Sequence, residues 1–133
     1  MSRAVVLDTD ILVSAWHKPG SALSRIVEAA VLRTMPVHVC AAVVEEYRDV
    51  LSRPKFQKLG PWKPWLERLL MVAFRNRDPA PWPHSGPDPD DLVFLALAKA
   101  TGGLLVTGNL ADFPEAIRDG VPVLSPAEYL KLT

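Results

Sequence analysis

The chain has 133 residues and a formal net charge of zero, with 15 Lys and Arg against 15 Asp and Glu. Apolar residues make up 49% and charged residues 23%, which excludes a disordered chain and fits one folded domain, residues 1–133, with a sizeable core. No apolar run is long enough to span a bilayer, "MSRAVVLDTD" lacks a signal-peptide pattern, and the lone Cys40 cannot form an internal disulfide, so the expectation is a cytoplasmic protein with no membrane partner.

In chain order, "RAVVLD" is a continuous, partly β-branched apolar run ending in an acid, as in a strand buried on both faces. "ILVSAW" reads as a short helix and "SALSRIVEAAVLR" as a longer one, with Ser21 as N-cap. "VHVCA" is a second strand, containing His38 and a small, buried Cys40. "AVVEEYRDVLSR" is helical and stops before Pro54. "WKPWLERLLMVAFRN" reads as one amphipathic helix, with Trp65, Leu69, Val72 and Phe74 assigned to the core rather than to base stacking.

The Pro-rich "DPAPWPHSGPDP" is a loop. "PDPDDLVFLALAKA" then enters a helix that runs to about Thr101, "GGLLVTGN" is turn, strand and loop, and "LADFPEAIRDG" is a short helix or irregular turn. "VPVL" is a last strand, and "SPAEYLKL" starts a helix with Ser125, Pro126 and Glu128 forming a capping box. Strands alternating with helices predict an α/β fold, a mainly parallel sheet with right-handed crossovers.

In such sheets ligands bind beyond the carboxyl ends of the strands. Asp8 and Asp10 fall at the end of the first strand; Asn109 and Asp112 follow "LLVT". Asp88, Asp90 and Asp91 open the helix that feeds that strand. As N-cap, Asp88 and one more acid are accounted for by the helix dipole, but three are not. Glu45 and Glu46 are about 100° apart on one helix, and Glu46 shares the stripe of Ala42, Val43 and Val50. A carboxylate on an apolar stripe needs a partner or a metal. Converging carboxylates need raised pKa values or a hard cation such as Mg²⁺ or Mn²⁺, which can activate water and brace a phosphate. His17, His38 and His84 are scattered and are read as structural or solvated. Residues 48–77 hold eight cations against Asp49 and Glu67, while residues 78–128 hold eight acids against Lys99 and Arg118. That asymmetry fits either a nuclease, with cations on phosphates and acids on a metal, or two solvated faces.

"VVLDTDILVSA", "VVEEYRDVLSRPKF", "DPDDLVFLALA" and "LLVTGNLADF" resemble, in order and spacing, the PIN-domain family, in particular small prokaryotic PIN proteins taken to be toxins of toxin–antitoxin pairs. The resemblance implies a three-layer α/β/α sandwich and a Mg²⁺- or Mn²⁺-dependent endoribonuclease acting on single-stranded RNA. It implies Asp8, Glu46, Asp91 and Asp112 as metal-binding and catalytic acids, supported by Ser14 and Thr107. Asp88 and Asn109 join that supporting group. Asp10 stands where the family usually has Asn, and Asn109 where many relatives have Asp. Arg48, Arg53, Lys55 and Lys58 are the candidates to guide the RNA backbone. A small antitoxin protein and a homodimer are the implied protein partners. Two rival readings remain at this stage. One is a haloacid-dehalogenase-like phosphatase, with Asp8 as nucleophile and Asp10 as acid, for which no downstream Lys is clearly supplied. The other is a non-catalytic PIN-like module that binds RNA or protein.

Overall fold

The computed structural model describes residues 3–18, 20–57 and 60–132. Lys58 lies outside them. β1 (Val5–Leu7), β4 (Leu104–Val106) and β5 (Val123–Leu124) pair in parallel, as do β2 (His38–Cys40) and β3 (Phe74–Asn76). A parallel bridge between Val5 and Val37 and a 2.9 Å bond from the Val5 N–H to the Pro36 carbonyl join the two groups. The strand order is therefore β3-β2-β1-β4-β5. The chain works outward from β1 to β3, then returns to β4 on the other side of β1. The loops leaving the carboxyl ends of β1 and β4 diverge at this reversal, and an α/β sheet offers its ligand crevice there.

Every residue of β1 and β4 is buried, as parallel strands covered on both faces require. α6 (Leu92–Thr101) packs across β1, β2 and β4, with Phe94 to Ala98 all buried. α1 (Thr9–His17) packs on α2 (Ala22–Val31) and α3 (Ala41–Leu51), and α2 reaches α5 (Trp62–Val72) and α7 (Pro126–Lys131). This is the three-layer α/β/α arrangement. The Ser21 hydroxyl caps α2 by accepting the Ser24 N–H (3.2 Å), and Ser125 and Glu128 form the full capping box of α7. The short α4 (Pro54–Gln57) follows α3 directly. No helix among the described residues is long and apolar enough to cross a membrane.

One predicted element is corrected. The helix expected to reach Asn76 ends at Val72. Ala73 turns extended (ψ 146°), and Phe74–Asn76 becomes β3. The apolar row of α5, Leu66, Leu69 and Leu70, is complete by then, and the Phe74 N–H is taken by the Val37 carbonyl at 2.8 Å. Phe74 is not in the core: it is 56% exposed and stacks on His38. Leu69 is buried, while Trp65 and Val72 are half-buried. "LADFPEAIRDG" resolves into two 3₁₀ turns, Leu110–Asp112 and Glu115–Ile117.

Candidate functional site

β1 and β4 run in register from Val5 opposite Leu104 to Leu7 opposite Val106. The Asp8 N–H continues the ladder to the Val106 carbonyl (3.0 Å), so Asp8 and Thr107 leave the sheet side by side. Both are buried. The Thr107 hydroxyl donates to Asp8 Oδ2 at 2.8 Å and accepts the Asn109 N–H at 3.0 Å. Behind Asp8, the Tyr47 hydroxyl of α3 donates to the Leu7 carbonyl at 2.6 Å. Asp10 Oδ2 accepts the Gly108 N–H at 3.0 Å. A Cβ on residue 108 would stand 2.8 Å from that oxygen, so any larger residue there would push the Asp10 carboxylate out of its present position.

The opposite wall comes from the Pro89–Asp91 3₁₀ turn and from α3. Asp88 accepts the Asp90 N–H at 3.0 Å and so caps the turn. Asp91 sits half-buried at the entry to α6 and makes no cap bond. Glu46 is half-buried at the margin of α3, whose buried face is Val43, Val44, Tyr47 and Leu51. Asp112 accepts from the Asn109 side-chain amide at 2.8 Å. The seven carboxylates of Asp8, Asp10, Glu46, Asp88, Asp90, Asp91 and Asp112 line one open hollow of about 290 Å³, where Arg53 is the only lining cation among the described residues.

Burial, with like charge crowded nearby, raises the pKa of four of them, Asp8, Asp10, Glu46 and Asp91. Burial, then the charges of Asp8, Asp88, Asp112 and Glu46, push Asp91 up to about 8. Burial and then Asp8 push Asp10 up to about 7. Asp8 is raised by burial against the opposing Thr107 hydroxyl. Glu46 is raised by burial and then by Asp90 and Asp49, with Arg53 opposing. Asp10 Oδ1 is buried with no hydrogen-bond partner among the described residues, and the Asp8 charge is among the causes that raise Asp10. An orphaned carboxylate oxygen in an all-oxygen donor set fits a hard divalent cation. Yet no three Asp, Glu, His or Cys side chains among the described residues already close around an ion. Protein donors on residues 107–109 hold three of the acids instead.

The expected residues separate as follows. Asp8, Asp10, Ser14, Glu46, Asp88, Asp91, Asn109 and Asp112 line the hollow, with Thr107 behind Asp8. Arg53 lines it too and pairs with Asp49 at 3.4 Å. Arg48 does not: it bonds Glu67 at 2.8 Å and faces a neighbouring cleft with Lys63. Lys55 lies over the Phe56 ring. Glu45 is exposed and outside the hollow. Asp90 lines it as well, although of the three acids that open this helix the expected site includes only Asp91 and, in support, Asp88; the signal for Asp90 is an acid beyond what capping uses. Tyr47 was also missed, since a tyrosine on a helix does not reveal which carbonyl it reaches. Among the described residues no lysine lines the hollow, and Lys99 donates to the Asp119 carbonyl at 2.8 Å.

The PIN domain profile matches residues 4–111. No match among curated protein sequences accompanies it. VapBC2 from Rickettsia felis, solved bound to a DNA fragment from their promoter, is similar with a TM-score of 0.65 and 18% identity over 92% of this chain and 98% of that one. FitAcB from Neisseria gonorrhoeae gives 0.60 and 18% over 92% and 98%. FitAB bound to an IR36 DNA fragment gives 0.58 and 16% over 92% and 94%. At these identities the likeness is one of fold, and it agrees with a profile that spans most of the sequence: the chain belongs to the PIN domain family.

Proposed function

We propose that this PIN domain is a Mg²⁺- or Mn²⁺-dependent endoribonuclease that hydrolyses phosphodiesters of single-stranded RNA, and that it is the toxin of a toxin–antitoxin pair. The observation that carries the reading is the convergence of seven carboxylates on one hollow at the strand reversal, with an orphaned Asp10 oxygen among them. In this reading Asp8 and Asp91 hold the cation, joined by Glu46 and Asp112 directly or through water. Once bound, the ion supplies an activated water and neutralises charge developing on the phosphate. The chain's own part is orientation. Thr107 fixes the Asp8 carboxylate, Gly108 fixes Asp10, and Asn109 fixes Asp112. The exposed Arg53–Asp49 and Arg48–Glu67 pairs are weak and exchangeable, so both arginines can turn to RNA phosphates, with Lys55 beside them; Lys58, outside the described residues, is a further candidate by sequence. The resemblance to small PIN toxins supports an antitoxin protein and a homodimer as partners, and a cytoplasmic setting.

The test is cleavage of end-labelled single-stranded RNA with Mg²⁺ or Mn²⁺ and with chelator. Cleavage is expected only with metal, leaving 5′-phosphate and 3′-hydroxyl ends. Asp8→Asn and Asp91→Asn should fold normally by circular dichroism and fail to cut. Ends carrying 2′,3′-cyclic phosphate, or normal cutting by D8N, would defeat the proposal. One observation favours a second reading, a non-catalytic module binding RNA or protein: among the described residues no three acids are grouped closely enough to hold an ion. Calorimetric titration with Mn²⁺ separates the two, since the module gives no binding at millimolar metal. Co-purification with the product of an adjacent short gene tests the antitoxin.

A further inference from the structure

Between Pro81 and Pro87, burial alternates. Trp82, His84 and Gly86 are half-buried, while Pro81, Pro83, Ser85 and Pro87 are exposed. All three inward residues seat on one turn, Ile117–Asp119. The Trp82 indole N–H donates to the Ile117 carbonyl at 2.8 Å, and His84 Nε2 lies 2.7 Å from Asp119 Oδ1. Gly86 lies so close that a Cβ would stand 3.0 Å from the side-chain tips of Ile117 and Leu92. The turn is itself pinned. Asp119 has φ +47°, its carbonyl accepts from Lys99 of α6 at 2.8 Å, and Arg118 Nε donates to the Phe113 carbonyl at 2.7 Å.

Three acid-bearing segments meet at this seat: the Pro-rich strap leading to Asp88, α6 with Asp91 at its entry, and the loop carrying Asp112. None of Trp82, His84, Ile117 or Asp119 lines the acidic hollow. Prolines fix φ and hold their predecessors extended, so the strap passes on position rather than absorbing it. The His84–Asp119 pair, open to solvent on the Asp119 side, adds little to stability, and its effect belongs in the geometry of what the strap carries.

We infer that Trp82 and His84 are positioning residues of the nuclease site, seating the strap on Ile117–Asp119 so that Asp88 and Asp91 stand correctly relative to Asp112. The inference rests on the nuclease reading. Its test uses Trp82→Phe, which keeps the ring and removes the donor, His84→Ala, and the double variant, in the full chain. Mn²⁺ dissociation constants are measured by calorimetry, and kcat and KM on single-stranded RNA, at 25 °C with folding checked by circular dichroism. The double variant should bind Mn²⁺ about tenfold more weakly and lose about tenfold in kcat at unchanged KM. His84→Gln, whose amide can donate to Asp119, should recover most of both relative to H84A. Wild-type affinity and kcat within twofold in the double variant would overturn the positioning role and leave the nuclease reading standing. A wild-type chain that neither binds Mn²⁺ nor cuts would remove both. Should the double variant fail to fold, H84A, which alters only a half-buried surface contact, is decided by the same two constants.

Discussion

Asp10 offers a direct measure of what the acidic hollow costs the fold. Its carboxyl rises from an ordinary 3.8 to about 7 through burial and then the Asp8 charge. The folded chain therefore holds this proton more tightly than the unfolded chain. The stability that Asp10 contributes is full below its unfolded value and is lost as pH rises to about 7, after which it is flat. Three units at 1.36 kcal/mol each give about 4 kcal/mol; partial exposure to solvent reduces this to about 2 kcal/mol. Asp10→Asn keeps an acceptor for the Gly108 N–H and offers its amide to Asp8. At pH 8 in chelator, D10N should exceed wild type by about 2 kcal/mol, or about 6–10 °C in Tm for a domain of this size. The gap should shrink to nothing towards pH 4. His38, lowered by burial, costs stability as pH falls, but it does so in both proteins and cancels in the difference. Denaturant midpoints from pH 4 to 8.5 read the gap. A gap independent of pH, or D10N less stable at pH 8, would refute the reasoning.

Three other outcomes follow from single contacts. Thr107→Val removes the hydroxyl between Asp8 and the Asn109 N–H and should weaken Mn²⁺ binding about tenfold, whereas Thr107→Ser stays near wild type; equal calorimetric constants would remove Thr107 from the site. Arg53→Ala should weaken RNA binding and reduce the slope of log K against log salt by about one, and an unchanged slope means that Arg53 touches no phosphate. Gly103→Ala would place a Cβ inside the Ala4 backbone where β1 meets β4, costing about 3 kcal/mol or more. Gly102→Ala, in open space but at φ +67°, should cost only about 1 kcal/mol by the same denaturation midpoints.

The elements readable in the sequence were those whose signal is local and whose burial is deep. "RAVVLD" reads as a buried strand because all three residues of β1 are covered on both faces, and Ser125 with Glu128 spells out a cap. β3 was unreadable for the opposite reason. A three-residue edge strand has little core to pattern it, and the apolar spacing of α5 runs on into Phe74, which the structure leaves exposed. At the site, acids directly after buried strands stood out, and the family resemblance selected Glu46 over Glu45. What no local pattern carries is contact across the fold: Tyr47 meeting Leu7, or the alternation of Trp82, His84 and Gly86 on Ile117–Asp119. That segment reads only as a Pro-rich loop until its partner turn is in place.

"TGN" after β4 acquires a physical meaning from the same contacts. Three consecutive residues each hold one acid, and each does so with a different group: the Thr107 hydroxyl on Asp8, the Gly108 backbone N–H on Asp10, and the Asn109 amide on Asp112. A hydroxyl is needed where the acceptor is buried beside the strand, no Cβ where the backbone must close on a carboxylate, and an amide where the loop turns back on itself. Asn109 therefore serves the site as a donor, without an acid's own charge, and adds nothing to the repulsion among seven carboxylates. Neither Asp91 nor Glu46 receives a hydrogen-bond donor among the described residues, and both are raised by burial and neighbouring charge. They face the hollow from the wall opposite the donor row, so in the proposed function a divalent cation drawing the two walls together would stabilise Asp91 and Glu46, and Asp90 with them, as acids that receive no donor among the described residues.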